Sequence, residues 1–189
     1  VCLIVVVALL LISRVKLMSE KPDRIMVLLI SFIPIFLLLE ETIGLTDLIL
    51  DLLGRDSTLT TRVPMWEFLK GMVTNPIMGT GYYSFWMGER LQIIWGFTGR
   101  TVNQAHNGYL EQYLNLGYIG VAFIGVIILS GLLKVKRQLS IDYPLGMLCM
   151  CFIIVAILYN YTEAMFYGIN NIWLLTLFAV IEIPIYNKT

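Results

Sequence analysis

"VNQAHNGYLEQYLNLGYIGVAFIGVIILSGLLKVKR" (residues 102–137) carries the only histidine of the chain, His106. Asn107 and Gly108 follow it directly, then a long apolar run closed by Lys134, Lys136 and Arg137. The run from about Tyr109 to Leu133 exceeds the roughly 20 residues that a membrane-crossing helix needs. This stretch sets the fold class, because it reads as a bilayer-spanning helix whose entry point holds a lone imidazole. The rest of the sequence has the same character. Its 189 residues are 58% hydrophobic and 14% charged, with a mean hydropathy of +0.81. A soluble domain of this length could not bury that much apolar surface, so an integral membrane protein is expected. The net charge of zero argues against a nucleic-acid partner.

Working outward, "VCLIVVVALLLI" at the start has twelve residues, too few to cross a bilayer alone. It lacks the basic n-region and small-residue cleavage site of a signal peptide. It reads as the end of a cut helix, and the chain as the C-terminal portion of a larger protein. "SRVKLMSEKPDR" is a charged loop with Arg14, Lys16, Lys21 and Arg24, followed by a second apolar run, Ile25 to Leu39. Two more runs, Pro144 to Tyr159 and Ile172 to Tyr186, come after the central one. The expected fold is all-α: a polytopic transmembrane helical bundle with a large, partly helical extracytoplasmic loop. Residues 1–39 would supply two transmembrane helices, the first truncated, with a basic cytoplasmic loop. Residues 40–108 would form the extracytoplasmic loop, and 109–189 three further transmembrane helices. Orientation follows from the basic residues at 13–24, 134–143 and the C-terminus, against none in "NYTEAMFYGINN" (160–171). Cys2, Cys149 and Cys151 all fall in apolar runs and read as small hydrophobes, not as a disulfide or metal site.

A segment as long as 40–108 exceeds what a connector needs and is expected to carry function. "LTDLILDLLG" (45–54) places Leu45, Leu48, Ile49 and Leu52 on one helical face, with Asp47 and Asp51 on another and Gly54 at the stop. "TTRVPMWEFLKGMVTNP" (60–76) reads as a second helix. Thr60 or Thr61 would be its cap, Pro64 would lie in the first turn, and Trp66, Leu69 and Val73 would form a stripe. Both helices are expected along the outer membrane–water boundary, with Trp66 as an interfacial anchor. "NPIMGTGYYSFW" (75–86) then turns through Pro76, Gly79 and Gly81 into an aromatic cluster.

The loop's cations are Arg55, Arg62, Lys70, Arg90 and Arg100. Arginine's planar fork suits phosphate oxygens, although solvated charges or partners for anionic headgroups explain such residues too. Arg62 stands out because a cation at a helix start opposes the macrodipole, which an anion bound there would explain. His106 is either a hydrogen-bonded boundary residue or a proton acceptor. The positive end of the following helix favours the neutral, proton-accepting imidazole, and Glu111 in its first turn would partly offset that. No second outer histidine or cysteine and no close Asp-x-Asp pair accompanies it. Metal ligation is therefore not expected, and no cofactor is called for.

Taken together, "LGRDSTLTTRVPMWEFLKGMVTNPIMGTGYYSFW" and "AHNGYLEQYLNLGYIGV" resemble the O-antigen ligase/polymerase superfamily of bacterial inner membranes, and within it the exopolysaccharide-production polymerases. The residues that carry the resemblance are Gly54, Arg55, Asp56, Thr58, Leu59, Thr60, Arg62, Trp66, Pro76, Gly79, Gly81, His106 and Asn107. The chain departs from the pattern at Thr61, where the family commonly has glycine. The likeness covers about Leu53 to Val121. It implies a fold similar to the GT-C lipid-carrier glycosyltransferases, multi-pass in the bacterial inner membrane, with an active site facing the periplasm or outside. The implied activity is metal-independent, inverting transfer of a glycan from undecaprenyl pyrophosphate to an acceptor sugar hydroxyl. Arg62 and His106 would be catalytic, with Arg55, Tyr82 and Asn107 binding substrate. Members also use an arginine from an earlier outer loop that this chain lacks, so the fragment alone is expected to be inactive. Tyr82, Tyr83, Phe85 and Trp86 fit a sugar-stacking wall or core aromatics equally. Glu163 fits an orienting carboxylate or a plain surface one. A ligase acting on lipid A-core, a polysaccharide or lipid transporter, and a non-catalytic membrane component remain alternatives.

Overall fold

The computed structural model describes residues 2–14, 58–166, 168 and 170–181, with scattered positions between 24 and 48. All regular structure among the described residues is helical: α1 (Cys2–Ser13), α2 (Thr58–Gly71), α3 (Gly88–Thr98), α4 (Gly108–Ile141), α5 (Tyr143–Thr162) and α6 (Asn171–Val180). In the second apolar run, Val27, Ser31, Pro34, Ile35, Leu38 and Leu39 are helical. Several sequence expectations lie outside the described residues. These are most of the 45–54 helix, including Asp47, Asp51 and Gly54, then Arg55, the basic residues Lys16 and Lys21, and the end of the last apolar run.

Among the described residues two helices, α4 and α5, are long and apolar enough to cross a membrane, with most-apolar windows of mean hydropathy 2.4 and 2.0. They form an antiparallel pair turned by one residue. Asp142 ends α4 by donating its N–H to Gln138, and begins α5 by accepting from Leu145 N–H at 3.0 Å. α6 packs on both helices and α1 on α5. Leu9, Val135, Leu139, Met150, Ile153 and Ala179 are buried where they meet.

α4 is not the single straight rod that the apolar run suggested. Gly117, at φ 63° and ψ −156°, interrupts it, leaving a short arm (108–116) and a long arm (118–141). At about 1.5 Å per residue the long arm alone is about 36 Å, enough to cross a bilayer. A broken helix leaves carbonyls and N–H groups without partners, and the 75–81 loop supplies both kinds. Thr80 N and Oγ1 donate to Leu114 O, and Gly81 N donates to Asn115 O at 2.8 Å. In the other direction, Tyr118 N donates to Pro76 O at 2.9 Å and Ile119 N to Ile77 O at 3.2 Å. The two backbones approach so closely that a Cβ on Gly79 would lie 2.5 Å from Asn115 backbone atoms, and one on Gly117 2.4 Å from those of Ile77. Glycine is required at both positions, for space and for positive φ.

The short arm therefore belongs to a second core, where Leu110 and Leu114 are buried with Met65, Leu69, Phe85, Trp86, Ile94 and Ala105. Leu69 and its partly buried neighbour Trp66 form the expected stripe of α2, with Met65 added, while Val73 packs on the same core from beyond the end of the helix. Trp66 also has partners within the protein. Its indole N–H donates to Ala105 O at 2.8 Å and its ring meets Tyr161 edge-on. α2 starts earlier than expected, so Pro64 lies inside it and removes the N–H that would bond the carbonyl four residues back. Arg62 is accordingly in the second turn, not at the positive terminus.

Gly117→Ala and Gly79→Ala are expected to lower stability by at least about 1–3 kcal/mol each. Gly125→Ala, whose Cβ would meet nothing within 4 Å, should be near neutral. Thermal unfolding of the intact protein followed by size-exclusion chromatography would compare the three.

Candidate functional site

The site forms where α2 and the start of α4 meet the end of α5. Asn107 is the N-cap of α4: its side-chain oxygen accepts from Tyr109 N at 3.1 Å and Leu110 N at 3.0 Å. This is the usual task of asparagine before a helix. His106 precedes the cap with φ +51°, a left-handed conformation uncommon for a side-chain-bearing residue. Glu163 caps the other helix, donating its N–H to Tyr159 O and accepting from Gly108 N at 3.1 Å. The two helix ends are thus joined through backbone before any side chain is considered.

Side chains then converge on Glu163. Its Oε2 is 3.1 Å from His106 Nδ1, and its Oε1 is 3.8 Å from Arg62 Nη2. Arg62 Nη1 also donates to Thr162 O at 2.5 Å, placing a cation at the negative end of α5, where it is favourable. His106 Nδ1 is also 3.3 Å from Gln104 Nε2. These two contacts ask opposite roles of one nitrogen. The shorter, charge-assisted one to the carboxylate decides for Nδ1–H. All three side chains stay between a fifth and a third exposed, so a ligand can reach them.

Arg62 and His106 are thus brought together by a residue whose sequence context left its role open. Glu163 is the shared partner of both, not a plain surface carboxylate. Of the other predicted residues, Arg55 lies outside the described residues, and the Asn107 oxygen is committed to its cap. Tyr82 and Tyr83 are exposed, with rings perpendicular and 4.6 Å apart. Phe85 and Trp86 are buried in the second core and form no wall. Arg90 braces that aromatic turn, with its Nη1 on Phe85 O at 3.3 Å and its guanidinium over the Phe85 ring.

The sequence reading missed a buried polar cluster one turn beyond His106. Glu111 stands in the first turn of α4, as expected, and is buried there. Its Oε1 accepts from Trp86 Nε1 at 2.5 Å and Asn115 Nδ2 at 2.9 Å, and its Oε2 from Ala105 N at 2.9 Å. Burial pushes this carboxyl above its usual range, while the Ala105, Trp86 and Asn115 donors pull it back. Gln112 Nε2 donates to Phe166 O at 2.9 Å. Three polar residues at 111, 112 and 115, inside an otherwise apolar run, were the available signal. Among the described residues no group of three or more metal-ligating side chains converges.

With this geometry in place, comparison with known proteins adds one relative. The chain is similar to the exopolysaccharide production protein ExoQ of Rhizobium meliloti (strain 1021), with 31% identity over 106 residues. The match covers 52% of this chain but 24% of that protein, so the chain spans about a quarter of the relative's length. This bears out the resemblance to exopolysaccharide-production proteins. With the long apolar helices it supports a membrane protein. No family model matches the chain, and no solved structure does.

Glu111→Gln would set an amide N–H₂ against at least one of three buried donors. An unsatisfied buried donor costs about 1–3 kcal/mol, so the variant should unfold at a measurably lower temperature than the parent in detergent. An unchanged unfolding temperature would show that these contacts do not hold the His106 segment.

Proposed function

We propose that this chain is part of a membrane glycosyltransferase that moves a glycan from undecaprenyl pyrophosphate to an acceptor sugar hydroxyl, in exopolysaccharide or O-antigen polymerisation. The observation that carries this reading is the single carboxylate, Glu163, shared by Arg62 and His106. In this reading the residues of the second core and the 160–171 loop face the periplasm from the bacterial inner membrane. Support over a transporter comes from where the polar groups collect. Arg62, His106 and Glu163 gather where the start of α4 meets the end of α5, whereas transporters gather such groups near the bilayer midplane.

The chemistry follows from the charges. As the bond between the anomeric carbon and the pyrophosphate oxygen breaks, its electron pair moves onto that oxygen. Arg62 stabilises the developing negative charge, without calling on a metal ion. The acceptor hydroxyl oxygen forms the new bond from the opposite face, which inverts the anomeric centre. Its proton passes to His106 Nε2. Glu163 fixes Nδ1–H on the other side of the ring and so keeps Nε2 as the acceptor. General-base assistance of this kind contributes roughly 10²–10⁴ in rate. Polymerisation and ligation to lipid A-core share this chemistry and differ in the acceptor.

A second reading has its own observation: Arg62 Nη1 on Thr162 O closes α5 as a structural cap would. The two readings separate on Arg62→Lys and His106→Asn, assayed in the intact protein with a defined lipid-linked glycan. Transfer requires His106→Asn to lose at least about 100-fold in product formation and Arg62→Lys to fall sharply, with both proteins still present in the membrane. Normal activity in both variants, with reduced stability in Arg62→Lys, would leave only the structural role. Longer glycan as product identifies a polymerase, and glycan-capped lipid a ligase.

A further inference from the structure

Beside the Arg62–Glu163–His106 cluster lies a polar site that it does not use. Asn115, 8% exposed, lies in the last turn of the short arm of α4. Its Nδ2 donates to Glu111 O and Glu111 Oε1, both at 2.9 Å. These contacts fix which way the amide points, because the nitrogen must face the carboxylate. The oxygen is left on the other side, buried and without a hydrogen-bond partner. An acceptor in that state is costly unless something donates to it. Asn115 also lines a cavity of about 10 Å³ with Tyr82, Tyr83, Glu111 and Gln112, room for about one oxygen-sized group.

We propose that this cavity is a subsite for one hydroxyl of an uncharged sugar, with Asn115 Oδ1 as the acceptor and Tyr82 as the platform for the sugar ring. The chemistry of the lining selects the ligand. An anion is excluded by the Glu111 carboxylate and by an oxygen that can only accept. Both Glu111 oxygens already take donors, from Trp86, Asn115 and Ala105, so a neutral donor completes the set. The volume admits a hydroxyl and keeps its ring outside, where Tyr82 and Tyr83 are 62% and 44% exposed. Aromatic faces of this kind pack on apolar ring surfaces while polar atoms seek partners. The platform is held in register by the Gly81 N–H bond to Asn115 O. Glu111 in turn takes the N–H of Ala105, the residue before His106, which ties the subsite to the cluster. The proposal rests on the glycosyl-transfer reading for which sugar arrives, but not for the chemistry of the pocket.

The test uses the intact protein in detergent and the methyl glycosides of glucose, galactose, mannose and N-acetylglucosamine as probes, with saturation-transfer NMR as readout. At least one glycoside should bind, and Tyr82→Ala and Asn115→Ala should each weaken it about fivefold or more. One mono-deoxy derivative of that glycoside should bind the parent as weakly as the complete glycoside binds Asn115→Ala, and should lose nothing further in that variant. If Asn115→Ala does not fold, Tyr82→Ala and the deoxy series decide alone. Absence of binding by all four probes, or binding indifferent to Tyr82 and to every deoxygenation, would overturn the subsite and leave the oxygen to a water molecule. Failure here with product formation still dependent on Arg62 and His106 sinks the subsite alone. Sugar binding in a protein indifferent to Arg62→Lys and His106→Asn sinks the transfer reading alone.

Discussion

The meeting of two backbones at Gly79 and Gly117 is the constraint on which the described structure depends. An apolar helix that ran unbroken from Tyr109 would carry Glu111, Gln112 and Asn115 along the same line as its long apolar arm. The break at Gly117 redirects these residues into the second core. The 75–81 loop makes the break tolerable by exchanging hydrogen bonds with both severed ends. Each partner supplies what the other lacks: the loop accepts from the N–H groups after the break and donates to the carbonyls before it. His106 owes its position to this exchange, because it stands at the far end of the redirected arm.

The second organising element is a carboxylate with two cationic or protonatable neighbours. Glu163 is fixed first by backbone, through Gly108 and Tyr159, and only then by Arg62 and His106. The order matters for what the cluster can do. A carboxylate held by its own helix end can orient an imidazole without following the motions of either partner. Arg62 has a second anchor in the Thr162 carbonyl, so its guanidinium is set in direction before any anion arrives. Preset groups of this kind need little reorganisation when charge develops nearby.

Much of this was legible in the sequence, for reasons that differ by element. Apolar runs identified α4 and α5 because length and composition are local properties. The Trp66 and Leu69 face of α2 followed from helical periodicity, and Gly79 and Gly81 were recognised as turn residues. The break at Gly117 was not legible. Gly120, Gly125 and Gly131 follow in the same run, and what distinguishes Gly117 is a loop about forty residues earlier. The partners of Trp66, Ala105 and Tyr161, were not legible because they are remote in sequence. The same distance hid the burial of Glu111, whose donors come from Trp86 and Ala105. The Arg62 and His106 pair was read from motif resemblance, and its meeting point at Glu163 came only with the geometry. Asn107, expected from the resemblance to bind substrate, is placed by the structure as the cap of α4.

One residue, Asp142, both closes α4 and opens α5, and this has a consequence for how the chain tolerates change. With no slack in the turn, the angular phase of α5 is counted from Asp142, and Glu163 inherits whatever phase results. A single inserted or deleted residue between them would rotate the far end by about 100° and slide it by about 1.5 Å. The carboxylate would then swing away from the imidazole although every side chain of the cluster was still encoded. Spacing along this helix is therefore under the same constraint as residue identity at its tip.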